Sequence, residues 1–276
     1  MNNNLPIRVK IKNLLREILP VNLFSFINFV WVKTGAHFFN VQGIVEKYTR
    51  QFIEKYPKEV QGGPFKNMQY VDKAVGSNYL HKLIGSYESI LHFHIESLRS
   101  KKFDTIIDIG AAEGYYLVGL GKMFPNSKLV GFEIEENGRK LITEMYEKNS
   151  LKNELILKGE ANVNNVAPYI SGKTLLICDC EGAELDILNP DIQKAFAWVE
   201  MAIIELHDFI RPGIKGVLIN RFSDTHNIKL VPFKMANPHT FPFLASISNE
   251  SERYELLRER GWQEQEWMIL EKKITS

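Results

Sequence analysis

The sequence has few cysteines and no excess of charge of either sign. Its 276 residues include only two cysteines, and 34 basic residues against 33 acidic ones leave a formal net charge of +1. Cys178 and Cys180 stand two apart in an apolar run, which does not resemble a disulfide framework and favours a reducing cytoplasm. This balance gives no overall field that would attract nucleic acid, for which a concentrated positive patch is expected. We therefore expect a cytoplasmic protein with no nucleic-acid partner.

The sequence also lacks an apolar run long enough to cross a bilayer. The main candidate, residues 18–32 (ILPVNLFSFINFVWV), is interrupted by Pro20, Asn22 and Asn28, whereas a spanning helix needs about 20 predominantly apolar residues. The opening residues show no secretory signal pattern. Two interpretations of residues 18–32 stay open, namely a helix packed on the main domain and an interfacial helix that makes only peripheral membrane contact.

The later part of the chain alternates short apolar runs with amphipathic segments. Seven runs rich in Ile, Leu and Val can be recognised: TIIDIG, KLVGFEI, ELILKGEA, TLLICDCEG, MAIIELHD, IKLVPFK and EWMILEK. Apolar runs separated by helical segments predict a parallel sheet covered on both faces. We therefore predict a doubly wound, Rossmann-like α/β domain over residues 101–276. Residues 1–100 are predicted to form a helical N-terminal cap that shapes the acceptor pocket.

An acidic residue stands at the end of each of the first five predicted strands. In an open parallel sheet the ligand crevice lies outside the carboxyl ends of the strands, so these carboxylates are expected to face one crevice. Taken singly, each is equally well explained as a turn acid or a helix cap. The five residues are Asp108, Glu133, Glu160, Asp179 and Glu205.

The turn after the first predicted strand has the composition of a cofactor-binding loop. It reads Gly110, Ala111, Ala112, Glu113, Gly114, and the middle glycine of the dinucleotide fingerprint is absent. A carboxylate at the fourth position would repel a pyrophosphate by about 1 to 4 kcal/mol. The same carboxylate would attract a sulfonium or an ammonium group. The turn therefore favours S-adenosylmethionine over a dinucleotide.

Neighbouring residues suit the separate parts of S-adenosylmethionine. Asp108 and Glu113 are expected to hold the amino-acid end, and Glu133 to accept the two ribose hydroxyls. Glu160 is expected to reach the adenine amino group, with Ala161 leaving room for the ring. The predicted cofactor-binding residues are Asp108, Gly110, Ala111, Ala112, Glu113, Gly114, Glu133, Ile134, Glu160, Ala161 and Asp179.

Three segments of the chain resemble a known enzyme family. DIGAAEG, GFEIEENGRKL and DCEGAELDIL are similar to the class I S-adenosylmethionine-dependent methyltransferases, and the last is similar to the D-x-E-G-A-E signature of the FkbM type. The resemblance covers about residues 82–222 and implies a seven-stranded sheet with an antiparallel final strand. It also implies a small-molecule or saccharide hydroxyl as the acceptor. GSYE, residues 85–88, resembles a segment that precedes the core in relatives and could close over the cofactor.

Methyl transfer to a hydroxyl needs a base or a metal ion near the acceptor. The candidates follow the fourth and fifth predicted strands. They are Asp179 and Glu181, then Glu205, His207 and Asp208. His207 is the predicted general base, because an imidazole with its ordinary pKa can take a proton at neutral pH. The alternative, which stays open, is a capping or hydrogen-bonded histidine just past the strand. Asp179 and Glu205 complete the predicted catalytic residues. By resemblance to catechol O-methyltransferase-like enzymes, Asp179, Glu205 and Asp208 are alternatively the ligands of a magnesium ion.

The sequence thus predicts an S-adenosylmethionine-dependent enzyme that methylates a small-molecule or sugar hydroxyl. Two other classes stay open. One is a nicotinamide-dependent oxidoreductase, which the missing glycine and Glu113 disfavour. The other is a binding protein that keeps the fold without turnover. The identity of the acceptor and the oligomeric state correspond to no recognisable motif.

Overall fold

The computed structural model describes residues 41–189, 192–258 and 266–274. Residues 18–32, for which peripheral membrane contact was considered, lie outside this range. The described residues divide into two compact units, one made of residues 41–55 and 237–258 and the other of the rest. Among the described helices, none has both the length and the hydropathy that crossing a membrane requires.

A seven-stranded sheet forms the centre of the larger unit. Its order is β3-β2-β1-β4-β5-β7-β6, in which β1 to β5 pair in parallel and β7 pairs antiparallel with both β5 and β6. The predicted doubly wound fold, its seven strands and its antiparallel final strand are confirmed. The strands are Thr105–Ile109 (β1), Lys128–Phe132 (β2), Leu155–Lys158 (β3), Thr174–Cys178 (β4), Val199–Glu205 (β5), His226–Pro232 (β6) and Glu266–Lys272 (β7).

The position of each strand in the sheet explains its residue pattern. β1 and β4 lie at the centre and are buried along their whole length. Because both faces of a central strand are covered, its sequence is an unbroken apolar run rather than an alternating one. β6 lies at an edge of the sheet and includes exposed residues between more buried ones.

Eleven helices are found in the described residues. They are Val41–Lys55 (α1), Tyr79–Ile84 (α2), His92–Ser97 (α3), Tyr115–Met123 (α4), Glu136–Lys148 (α5), Val163–Val166 (α6), Glu184–Ile187 (α7), Gln193–Phe196 (α8), Ile214–Phe222 (α9), Pro242–Ala245 (α10) and Glu250–Glu255 (α11). Short 3-10 turns occupy Ser89–Leu91, Leu98–Ser100, Ala167–Tyr169 and Pro238–Thr240.

Residues 56–100 belong to the same unit as the sheet. Phe65 packs edge-on against Tyr115 of α4, with ring centroids 5.2 Å apart. A Cβ at Gly119 would lie 2.5 Å from the Phe65 ring, so only glycine lets the ring rest on this helix. The units therefore divide after residue 55 rather than near residue 100. That the N-terminal region shapes an acceptor pocket stays a prediction.

The smaller unit is built on aromatic contacts within itself. Phe52 and Tyr48 on α1 pack edge-on against Phe243 of α10, with ring centroids 5.0 and 6.3 Å apart. The Tyr48 hydroxyl also donates a hydrogen bond of 2.5 Å to Glu252 of α11. Edge-to-face pairs of this kind add about 0.5–1.5 kcal/mol each to the burial of apolar area.

Candidate active site

The turn after β1 is fixed to the ends of two neighbouring strands. The backbone N–H groups of Gly110 and Ala111 both donate to the carbonyl of Phe132, at 2.9 and 3.0 Å, and the N–H of Asp179 donates to the carbonyl of Ile109 at 2.9 Å. Gly110 has a φ of +83°, and a Cβ there would lie 1.7 Å from the carbonyl oxygen of Asp179. Glycine is therefore required, and the ends of β1, β2 and β4 meet at this turn as predicted.

Glu133 joins the turn to the start of α5. Its carboxylate accepts the N–H of Ala112 through Oε2 and the N–H of Glu135 through Oε1, both at 2.8 Å. A Cβ at Gly138 would lie 2.7 Å from Glu133 Cγ, so the helix can approach only through a glycine. The adjacent Ile134 is 69% exposed. A carboxylate and an exposed apolar side chain therefore stand side by side at the end of β2.

Glu113 is fully buried and its charge is compensated. Its carboxylate accepts hydrogen bonds from Lys82 Nζ, from the Tyr70 hydroxyl and from the N–H of Val75, the last at 2.9 Å. Lys82 is buried as well, with its side chain 3% exposed. Glu113 thus does not present an uncompensated charge to the crevice. This corrects the sequence-based role of Glu113 in repelling a pyrophosphate and in holding the amino-acid end of the cofactor.

Two buried carboxyl groups outside β4 are affected by the charge of Asp179. Burial, followed by the negative charge of Asp179, raises the pKa of Asp108 to about 8 and the pKa of Glu88 to about 7. Glu88 belongs to the GSYE segment and accepts a hydrogen bond from the Tyr116 hydroxyl. Asp108 and Glu88 therefore hold protons for much of the time near neutral pH, and a nearby cation would lower both pKa values.

Glu160 and Ala161 follow β3, the edge strand. The Asn165 side chain donates to the Glu160 carbonyl at 2.9 Å, and Asn162 caps α6. The Glu160 side chain is exposed and Ala161 is half-buried. Their predicted part in adenine binding stays a prediction.

His207 lies at the centre of four carboxylates after β4 and β5. Its side chain is fully buried, and Nδ1 lies 2.5 Å from Oε1 of Glu184 at the start of α7. Nε2 lies 3.3 Å from Glu181 Oε2, 3.6 Å from Asp179 Oδ1 and 3.6 Å from Glu205 Oε2. The structure thus brings the three predicted catalytic residues together.

The same carboxylates change the chemistry of His207. Burial lowers the pKa of His207, but the adjacent carboxylates of Glu181, Glu184 and Glu205 outweigh it and raise that pKa to about 10. In this arrangement His207 carries a proton at neutral pH and cannot accept one. The raised pKa does not favour a neutral general base, and the catalytic role of His207 stays a prediction. Sequence reasoning missed Glu184, although it is the last residue of the DCEGAE motif.

The Asp208 side chain caps the start of α9. Its carboxylate accepts the N–H groups of Gly213 at 3.0 Å and Lys215 at 2.9 Å, at the start of α9. Within the described residues, the side chains whose potential metal-ligand atoms lie within 4.8 Å of one another are Asp179, Glu205 and His207. The predicted metal-binding set is therefore not assembled as proposed, because His207 stands where Asp208 was expected.

Comparisons with known proteins found a matching family model and similar solved structures. The family model described as "Putative methyltransferase" matches residues 102–176. No curated protein matches the sequence. Precorrin-6y C5,15-methyltransferase from Geobacter metallireducens is similar with a TM-score of 0.48 and 10% identity, over 79% of this chain and 100% of that chain. An rRNA methylase from Streptococcus thermophilus has a TM-score of 0.44 and 15% identity, over 66% of this chain and 95% of that chain. Precorrin 8w decarboxylase from Methanobacterium thermoautotrophicum has a TM-score of 0.41 and 11% identity, over 65% of this chain and 87% of that chain.

The family match and the sheet order support an S-adenosylmethionine-dependent methyltransferase of class I, as predicted. The FkbM-type resemblance stays a prediction. One expectation is corrected: the exclusion of nucleic acid as a partner is wrong, because an rRNA methylase is among the similar structures. The restriction to small-molecule or saccharide acceptors is withdrawn for the same reason.

Proposed function

We propose that this chain transfers a methyl group from S-adenosylmethionine, bound at the Gly110 turn, to a hydroxyl oxygen held beside Asp179. The observation that carries the proposal is the contact between the turn and β4. Because a Cβ at Gly110 would lie 1.7 Å from the Asp179 carbonyl oxygen, the cofactor turn and the acidic cluster are parts of one rigid arrangement. Such an arrangement suits a reaction whose rate depends on orienting two reactants.

The residues present fit the donor. S-adenosylmethionine supplies an electrophilic methyl group on a sulfonium cation. Asp108, Glu88 and Asp179 provide carboxyl groups that favour a cation at the end of β1 and β4. Glu133 accepts one backbone N–H on each oxygen, and each oxygen retains a lone pair for a ribose hydroxyl. The exposed Ile134 offers an apolar surface for the adenine ring.

The acceptor would be prepared by the residues after β4 and β5. A hydroxyl is a poor nucleophile until its proton is removed. We assign the proton to a carboxylate of the pair Asp179 and Glu205, and His207 holds these two carboxylates in place. Asp179 is the more accessible of the two, since its side chain is 20% exposed whereas that of Glu205 is fully buried.

A nicotinamide-dependent oxidoreductase is the competing function. The charge argument against a pyrophosphate weakens because Lys82 compensates Glu113. The sequence of the turn still opposes it, since Ala112 stands where the dinucleotide fingerprint has its middle glycine.

Calorimetric titration of the full chain with S-adenosylmethionine and, separately, with NAD distinguishes the two functions. We expect micromolar binding of the former and none of the latter. Glu133→Ala should weaken binding by about 1.5–3 kcal/mol, the contribution of hydrogen bonds to a carboxylate. Glu135→Ala is the matched control, because the Glu135 side chain is exposed and its backbone N–H to Glu133 is kept. Binding of NAD, or equal losses in the two variants, would refute the proposal.

A further inference from the structure

The two ring nitrogens of His207 have different surroundings. The side chain is fully buried, and Nδ1 pairs with the buried Glu184. Nε2 makes no hydrogen bond within the described part of the chain, and it points towards Asp179, Glu181 and Glu205. A buried polar atom without a hydrogen bond is unfavourable, because it has lost its contacts with water. A ligand at Nε2 would remove this cost.

The distances around Nε2 are close to those of a coordination sphere. Asp179 Oδ1 and Glu205 Oε2 each lie 3.6 Å from Nε2. Ligand atoms at about 2.0–2.2 Å from a single ion are separated from each other by about 3.0–3.5 Å. The potential ligand atoms of the three residues all lie within 4.8 Å of one another, so a contraction of the cluster would place all three on one ion.

We propose that Asp179, Glu205 and His207 bind one divalent transition-metal ion, each through a single ligand atom. An imidazole together with two carboxylates suits manganese, iron or zinc, whereas magnesium and calcium prefer oxygen ligands alone. Three protein ligands leave positions open for an oxygen of a substrate or of water.

Glu184 completes this site without touching the ion. With Nδ1–H donated to Glu184, an ion would displace the proton from Nε2, on the side of the ring that lies near Asp179 and Glu205. Histidine ligands are commonly oriented by a carboxylate on the second ring nitrogen. The buried carboxylate therefore acts as a positioning residue for the metal ligand.

An ion at this place would lower the pKa of a hydroxyl that coordinates to it. The proposal concerns metal binding alone, and it does not depend on whether the chain transfers methyl groups.

The test is a manganese titration of the full chain after treatment with EDTA, with free Mn²⁺ followed by electron paramagnetic resonance. We expect one Mn²⁺ per chain with micromolar affinity and displacement by Zn²⁺. Glu205→Gln should weaken binding a hundredfold or more, and Glu184→Gln by about 10- to 100-fold. Asp208→Asn is the matched control and should bind normally, because Asp208 caps α9.

Spin-echo spectra of bound Mn²⁺ should show coupling to an imidazole nitrogen, which checks the site even where a variant fails to fold. Absence of saturable binding, absence of the nitrogen coupling, or a loss of binding in Asp208→Asn overturns the proposal. S-adenosylmethionine titrated into the same sample separates the two proposals. A chain that binds the donor but no metal refutes only the metal site, and a chain that binds metal but not the donor refutes only the methyltransferase.

Discussion

Replacing Gly110 by alanine tests the turn on which the whole site rests. Two penalties are expected. A φ of +83° is unfavourable for an L-residue with a Cβ, at about 1–2 kcal/mol. The new Cβ would also stand 1.7 Å from the carbonyl oxygen of Asp179. Because that oxygen belongs to the backbone, no change of rotamer relieves the clash, and the turn or the end of β4 has to move.

Two other glycines separate these penalties. Gly213 has a φ of +96° and no heavy atom within 4 Å of a built Cβ, so Gly213→Ala carries the backbone cost alone. Gly114 also has a φ of +96°, and its nearest neighbour is the side-chain atom Cγ1 of Ile142 at 3.2 Å. We expect Gly213→Ala to lower the free energy of unfolding by about 1–2 kcal/mol and Gly110→Ala by at least 3 kcal/mol. Gly114→Ala should lie between them.

Urea unfolding followed by circular dichroism measures these losses, and calorimetry measures the affinity for S-adenosylmethionine. Gly110→Ala should weaken the affinity tenfold or more in whatever fraction remains folded, whereas Gly213→Ala should leave it unchanged. If Gly110→Ala costs no more stability than Gly213→Ala, then the turn does not approach β4 closely, and the argument for a joined cofactor and acceptor site fails.

Further predictions concern buried charge. Lys82→Met leaves the Glu113 carboxylate buried without its cation and should lower the free energy of unfolding by about 3–5 kcal/mol, with part of the loss recovered by adding Glu113→Gln. Lys58→Met breaks the exposed pair with Asp72 and should lower the free energy of unfolding by less than about 1 kcal/mol in the same urea titration. Equal losses in Lys58→Met and Lys82→Met would contradict the buried pairing of Lys82 with Glu113. Asp108 has a pKa of about 8 in the folded protein against an ordinary 3.8, so between these values the folded state keeps a proton that the unfolded state releases. Asp108 therefore lowers stability as pH rises through that window, by up to about 1.4 kcal/mol per pH unit, and a wild-type curve parallel to that of Asp108→Asn would refute this. Because a bound cation lowers the pKa of Asp108, donor binding should release protons and strengthen from pH 6 to pH 8, which calorimetry in buffers of different ionisation enthalpy detects.

The strands and the glycine turn could be predicted because their signals are local. β1 and β4 are contiguous apolar runs since both of their faces are covered. The turn needs Gly110 because its φ is +83°. Glycine adopts positive φ readily, so a glycine at this place in the sequence indicates such a turn. The alternation of side chains along a strand also indicates which residues at the end of β5 lie on the same side. Glu205 and His207 are two residues apart and point the same way after β5, whereas Asp208 points the other way.

The charge partners could not be predicted because they depend on tertiary packing. Lys82 meets Glu113 only when the segment before the sheet folds onto the turn. Glu184 begins α7 and turns towards His207, yet in sequence it is indistinguishable from a solvated helix acid. The raised pKa of His207 follows from its carboxylate partners, so it could not be predicted from the sequence alone.

The place of β7 in the sheet has a consequence for biosynthesis. β7 lies between β5 and β6, although it follows both of them along the chain. On the ribosome β6 emerges with no neighbour to pair with, and one edge of β5 stays open until residues 266–272 have been made. Open strand edges pair readily with other chains. A nascent chain stalled before β7 should therefore aggregate or recruit chaperones, and one late insertion closes both edges.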